Sequence, residues 1–279
     1  MKIGIFGGDK RMLFAAKAFA DDGHDVFVAG FDHLISLCDI RICSYADAAE
    51  RCDIAILSVR PTADGSLNTP FSERKIGMSE LTQRISDKPI FTGFADQVRP
   101  YAVGKVFDYS ADESFTLKNA ELTAEGAVGL LINDYEGAVC GTDILVTGYG
   151  RIGKILSAYL KAMGANVTVA ARNPAVRESI GKNGLIPIDY PDVEYADYRV
   201  IINTVPVVVM GREAVDRMRG DVYLIELASV PGGFDVNRVR ERDLSIVISR
   251  GLPGKTAPLA AGTIIKDTVV MLLTDYGIL

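Results

Sequence analysis

The sequence predicts an α/β protein with two doubly wound parallel-sheet domains, long linking helices and a cleft between the domains. Three observations predict it. Short apolar runs alternate with helical patterns along both halves of the 279-residue chain, and that alternation builds parallel sheets covered on both faces. Each half opens on a strand that ends in glycines, Gly7-Gly8 in the first and Gly148-Tyr149-Gly150-Arg151-Ile152-Gly153 in the second. Between them, Ala120, Ala124, Ala127, Val128 and Leu131 recur at helical spacing over residues 118–135.

In order, residues 2–6 read as a strand and residues 10–21 as a helix with Leu13, Ala16 and Ala20 on one face. Gly23-His24 turns into a strand at 25–29, and residues 53–58 form the next apolar strand, followed by Val59-Arg60-Pro61. A polar loop over 62–78 is long for a compact domain, which marks it as functional or mobile. A helix at 79–85, a strand at 89–92 and a short strand at 105–109 complete the first domain, at residues 1–117. The linking helix belongs to 118–139, with Asn119 or a neighbour as its cap. The second domain, 140–259, has strands at 144–147, 166–171, 185–188, 199–203, 222–227 and 245–248. Helices fit 152–163, 174–182 (capped by Asn173), 212–218 and 235–240. Six such strands joined by crossovers give the Rossmann order 3-2-1-4-5-6. The apolar helix at 260–275, within a closing segment 260–279, is expected to return to the first domain.

Bulk composition narrows the function. Hydrophobic residues make up 48% of the chain and the formal net charge is −6, which supports full-size cores and argues against a nucleic-acid surface. The opening residues read as a strand rather than a signal peptide, and no apolar run reaches the length of a membrane span. Cys38, Cys43, Cys52 and Cys140 match no zinc spacing and read as reduced, mostly buried thiols of a cytoplasmic protein. No metal site is expected, although a grouping of His33 with the first three cysteines is conceivable.

The glycine motif after strand 144–147 has the strand–turn–helix setting that a dinucleotide needs. The first glycine permits the tight turn, the second admits a pyrophosphate and the third lets helix and strand pack closely. Gly148, Gly150, Arg151, Ile152 and Gly153 are therefore cofactor candidates, with the helix amino terminus facing the phosphates. About twenty residues further on, where a carboxylate selects the ribose 2′-hydroxyl of NAD, the chain has Arg172-Asn173. A guanidinium there pairs with a 2′-phosphate, so the expected cofactor is NADP. Three loops rich in small residues, Pro and Gly share the carboxyl edge of the sheet. They contribute Thr204, Val205 and Pro206, then Ala228 and Ser229, then Pro253, Lys255 and Thr256. Thr204, Val205, Pro206, Ala228 and Pro253 are read as nicotinamide neighbours; Lys255, Thr256 and Ser229 are the catalytic candidates.

These loops, the amino-terminal Gly7-Gly8-Asp9-Lys10-Arg11 and the bridge Lys118-Asn119-Ala120-Glu121-Leu122-Thr123-Ala124-Glu125-Gly126 resemble the A subunits of bacterial dipicolinate synthase, over nearly the whole chain. The second-domain loops alone are also similar to those of alanine dehydrogenases, 2-hydroxyacid dehydrogenases and adenosylhomocysteinase. The resemblance implies an oxidoreductase acting on a CH–CH donor. The reaction it implies is the transfer of hydride from dihydrodipicolinate of the lysine pathway to NADP, which yields pyridine-2,6-dicarboxylate. It also implies a partner, the flavoprotein-like B subunit, and work in the mother-cell cytoplasm during sporulation. A dianionic substrate needs cations, and Arg60, Arg11, Lys118 with Asn119, and Lys255 are the candidates. Neither histidine lies in the second domain, which disfavours hydroxyacid oxidation through a histidine base. Another NAD(P)-dependent dehydrogenase of small amino or keto acids, or a non-catalytic NADP-binding module, are the alternatives.

Overall fold

The computed structural model describes residues 1–33, 40–62 and 64–279. The chain divides into two compact units, one of residues 1–119 with 253–279 and one of residues 120–252. The first unit begins with β1 (Lys2–Phe6), α1 (Lys10–Asp21), β2 (Asp25–Ala29), α2 (Tyr45–Arg51) and β3 (Ile54–Leu57). It continues with α3 (Met78–Ile85), β4 (Ile90–Thr92) and β5 (Val106–Asp108). The five strands are parallel in the order β2-β1-β3-β4-β5. Successive residues of β1 face opposite sides: Ile3 and Ile5 join Met12, Leu13, Ala16 and Phe19 of α1. Phe6 joins Ala48, Ala49, Met78, Leu81 and Ile85 from α2 and α3.

Helix α4 (Glu113–Asp134) carries the chain across the unit boundary. It starts five residues before the expected position because the Asp112 carboxylate accepts the Phe115 N–H at 2.8 Å, an N-cap bond. Lys118 and Asn119 consequently lie inside the helix rather than at its entrance.

The second unit contains β6 (Asp143–Thr147), α5 (Arg151–Ala162), β7 (Asn166–Ala170), α6 (Pro174–Lys182) and β8 (Ile186–Ile188). After them come β9 (Val200–Asn203), α7 (Arg212–Asp216), β10 (Tyr223–Glu226), α8 (Val236–Glu241) and β11 (Ser245–Ile248). Its order, β11-β10-β9-β6-β7-β8, is the doubly wound order expected, with all pairs parallel. Ile144 and Val146 pack with Ala124, Ala127 and Leu131 of α4 and Leu156 and Leu160 of α5. Leu145 packs on the opposite face with Ile201, Leu224, Val215 and Val239.

The chain then forms α9 (Leu252–Thr256), where a loop was expected, and α10 (Pro258–Asp275). Ile265, Val269 and Leu273 of α10 are buried in the α1 core. Gly262 makes the close approach possible: a Cβ there would lie 2.6 Å from the Arg11 carbonyl oxygen and the Ala15 nitrogen. Three buried aliphatic side chains, each worth about 1.5–3 kcal/mol, outweigh the Lys266–Asp22 ion pair at 2.9 Å, since pairs of this kind contribute about 1 kcal/mol or less.

Among the described residues no helix is long and apolar enough to cross a membrane. Nor does any group of three His, Cys, Asp or Glu side chains among them suit a metal ion. Cys52 is buried, Cys43 half-buried and Cys140 exposed. Burial pushes the Cys52 and Cys43 thiols up, and Cys140 is the exposed member of a set expected to be mostly buried. Cys38 lies outside the described residues.

Candidate functional site

In a doubly wound sheet the crevice lies where neighbouring strands send their crossovers in opposite directions. In the second unit that point is between β6 and β9, and the Gly148–Gly153 turn occupies it. Gly148 has φ +92, and a Cβ on it would lie 2.7 Å from both Thr204 Oγ1 and Val205 Cγ2. A Cβ on Gly153 would lie 2.3 Å from the Gly148 carbonyl oxygen. Both positions are therefore closed by protein. Gly150 is different: apart from its own turn of chain, no atom of the described residues lies within 4 Å of where its Cβ would be. It is also the N-cap of α5, without a side-chain cap, and the first helical bond runs from Lys154 N–H to Gly150 O at 2.9 Å. The positive end of the α5 dipole thus meets an open backbone position, the arrangement that suits a phosphate.

A buried polar network fixes the neighbouring loops. Asn203 and Glu226 end β9 and β10 and are fully buried. The Thr147 hydroxyl donates to Asn203 Oδ1 at 2.6 Å. Asn203 Nδ2 donates to Glu226 Oε1 at 2.7 Å and to the Val205 carbonyl at 2.9 Å. Glu226 also accepts the backbone N–H groups of Ala228 at 2.8 Å and Gly233 at 2.7 Å. Burying a carboxylate costs several kcal/mol unless it is hydrogen-bonded, and here three donors meet it. Thr204 is tied to Thr147 O through its hydroxyl at 2.8 Å. The network gathers Thr204, Val205 and the exposed Pro206 beside the glycine turn, and holds the loop with buried Ala228 and exposed Ser229. The sequence placed Asn203 at the end of the strand 199–203 without a role and did not single out Glu226; the signal was a carboxylate inside the apolar run Tyr223-Leu224-Ile225-Glu226-Leu227.

At the end of β7, Arg172 is exposed. Its carbonyl and that of Ala171 accept from Arg177 Nη1 at 2.8 and 2.7 Å. The same nitrogen pairs with Asp189 at 2.9 Å, so the nearby carboxylate already has a cation. Asn173 Oδ1 accepts the Ala175 N–H at 2.9 Å as the α6 N-cap. Burial pushes the Tyr190 phenol up to about 12, an effect that the Arg172 charge opposes.

The corresponding point of the first unit lies between β1 and β3. Its turn is filled. A Cβ on Gly8 would come 2.6 Å from Met12 Cγ and Ser58 Cβ, and one on Gly7 2.6 Å from the Asn68 carbonyl oxygen. Asp9 caps α1 and accepts Arg11 Nε at 2.8 Å and Nη2 at 2.7 Å. Burial disfavours the Arg11 charge, yet the Asp9 hydrogen bonds and charge hold its pKa above the ordinary value. Arg11 is thus matched within the protein. Gly254 of α9 seats against this pair, its Cβ position 2.7 Å from Asp9 Oδ2, which sets Pro253, Lys255 and Thr256 in the first unit. Lys255, Thr256, Lys118 and Arg60 are exposed, and Asn119 is half-buried. Tyr109 is buried beneath this edge and donates to the Leu57 carbonyl at 2.9 Å; burial pushes its phenol well up.

Fold and turn together define a class: an α/β protein of two Rossmann-type units, one of which carries an open dinucleotide-type turn. A transhydrogenase from Sinorhizobium meliloti shares this fold, with a TM-score of 0.70 at 17% identity over 97% of this chain and 93% of that one. Residues 2–101 match the family model of the N-terminal domain of the dipicolinate synthase A subunit. The A subunit of dipicolinate synthase from Bacillus subtilis (strain 168) is 27% identical over 290 residues, covering 99% of this chain and 96% of the relative. The crystal structure of the A subunit from Bacillus halodurans has a TM-score of 0.87 at 26% identity, covering 98% of this chain and 97% of that one. The resemblance to the A subunits of dipicolinate synthase, read from the sequence, is borne out over the length of the chain.

Proposed function

We propose that this chain is the NADP-binding subunit of an oxidoreductase that converts dihydrodipicolinate to dipicolinate in the cytoplasm of a sporulating mother cell, together with a flavoprotein-like B subunit. The observation that carries the proposal is the turn at the β6–β9 point: Gly148 and Gly153 are closed by protein while Gly150 is open over a helix amino terminus. Those residues fit a pyrophosphate. When bound, the coenzyme supplies a hydride acceptor.

This chain's own residues do the rest. The backbone of 148–153 holds the phosphates, and Arg172 receives the 2′-phosphate. Thr204, Val205, Pro206 and Ala228, fixed by Asn203 and Glu226, shape the nicotinamide side. Arg60 and Lys255, with Lys118 and Asn119, supply polar contacts for two carboxylates, whereas the Arg11 charge is already met by Asp9. Ring oxidation removes one hydride and one proton, and the aromaticity gained supplies the driving force. The proton passes to water, and the protein's task is orientation of the ring.

The test mixes the purified chain, with and without the B subunit, with dihydrodipicolinate generated in situ and NADP. The proposal predicts faster dipicolinate formation with one reduced coenzyme per product. A rate equal to spontaneous oxidation in both mixtures would contradict it.

A further inference from the structure

Phe94 follows β4 at the carboxyl edge of the first sheet, and its conformation is costly. Its backbone is left-handed, with φ 46 and ψ 54, a region that a bulky L-residue rarely adopts. Burial of the ring does not explain this, because the residue is 45% exposed. The surroundings hold the strain in place. The Phe94 N–H donates to Ser110 Oγ at 3.1 Å, and the Ala95 N–H to Asp108 Oδ2 at 2.9 Å. Asp108 is itself held by the Ser110 N–H at 2.8 Å and hydroxyl at 2.6 Å. On the other side Gly93 lies tight on β3's continuation, where a Cβ would sit 2.4 Å from the Val59 carbonyl oxygen. A strained residue that its neighbours over-determine points to function.

Arg60 supplies the second half. Its guanidinium carbon lies 5.7 Å from the Phe94 ring centroid, within cation–π range. Its carbonyl is anchored by Ser58 Oγ at 2.8 Å and Asn68 Nδ2 at 3.1 Å. Both side chains stand at the ends of β3 and β4, beside the β1–β3 point where ligands of such sheets collect. An exposed aromatic face next to a guanidinium suits a flat, anionic ring: the aromatic face stacks and the cation meets a carboxylate.

We propose that Phe94 and Arg60 form a stacking platform for the planar dicarboxylate ring of the reaction; the inference rests on the function proposed above. The platform favours the flat aromatic product and its nearly flat precursor over saturated analogues of equal charge.

The test is calorimetric titration of the full chain with dipicolinate and with cis-cyclohexane-1,3-dicarboxylate, which carries two carboxylates at the same spacing on a puckered ring with no ionisable nitrogen, in metal-free buffer. Phe94→Gly relieves the backbone, so its Tm rises, while dipicolinate binding weakens about tenfold and cyclohexane dicarboxylate binding stays within twofold. Arg60→Met weakens both ligands. Phe94→Tyr restores dipicolinate affinity. Wild-type binding of dipicolinate that Phe94→Gly leaves unchanged would overturn the platform alone. Equal losses for both ligands in Phe94→Gly would also overturn it. A wild-type chain that binds no dipicolinate would overturn the platform together with the substrate assignment.

Discussion

In the first unit, the helix after β1 is capped by Asp9, whose carboxylate accepts the Arg11 N–H at 3.1 Å and grips the Arg11 guanidinium. In the second unit, the helix after β6 starts at Gly150, which offers no side chain and meets open space. Both turns follow the first strand of a parallel sheet and stand where the crossovers diverge. The difference between them lies in who supplies the anion. A helix amino terminus attracts negative charge, and in the first unit the chain provides it in cis, with a matching cation. In the second it leaves that place open. A glycine turn before a helix is therefore an anion site only when the following residues leave the helix end uncapped and the middle glycine uncovered.

The largest effect should come from closing the second turn. Gly153→Val places a side chain against the Gly148 carbonyl oxygen, 2.3 Å from its Cβ, which only backbone movement relieves. A thermal melt should show a loss of about 3 kcal/mol, with coenzyme binding abolished; a stable variant that binds coenzyme normally would break the comparison. Next is Arg172→Glu. Replacing a cation by a carboxylate at the 2′-phosphate should shift the NADP-to-NAD ratio of kcat/KM about a hundredfold toward NAD, roughly 3 kcal/mol. An unchanged ratio would move the phosphate elsewhere. In the first unit, Asp9→Asn leaves Arg11 buried with a weaker partner. Because Asp9 is a third exposed, at 35% of its side chain, the expected cost is about 2 kcal/mol by denaturant titration, with NADP affinity unchanged. The mildest and most selective is Gly150→Ala. Its φ of −78 is ordinary and its Cβ meets no described residue, so Tm should hold. Coenzyme affinity should fall about tenfold, ~1.4 kcal/mol.

Much of this was legible in the residues. Gly148, Gly150 and Gly153 at their spacing announced the turn, and the apolar runs gave the strand order of the second sheet, because both signals are local and periodic. Other features needed the fold. The α2 helix (seven residues) went unread although Ser44 caps it, accepting the Asp47 N–H at 3.1 Å. The start of α4 is set by Asp112, a single capping bond upstream of the apolar pattern. The neutralisation of Arg11 by Asp9 depends on a rotamer, and the contact of Gly254 with that pair joins residues far apart in sequence. Asn203 and Glu226 lie 23 positions apart and meet only because β9 and β10 are neighbours in register. Sequence order conveys periodicity and turn chemistry well, whereas polar pairing across strands appears only once the sheet is assembled.

The central claim is that the 148–153 turn, with Arg172, holds NADP. Isothermal titration of the full chain with NADP and NAD, for the wild type and Gly150→Ala, tests it directly. The account predicts that NADP binds at least tenfold more tightly than NAD, and that the alanine weakens both coenzymes without a change in Tm. Heat-silent titrations with both coenzymes at millimolar concentration, or an alanine variant that binds like the wild type, would contradict it.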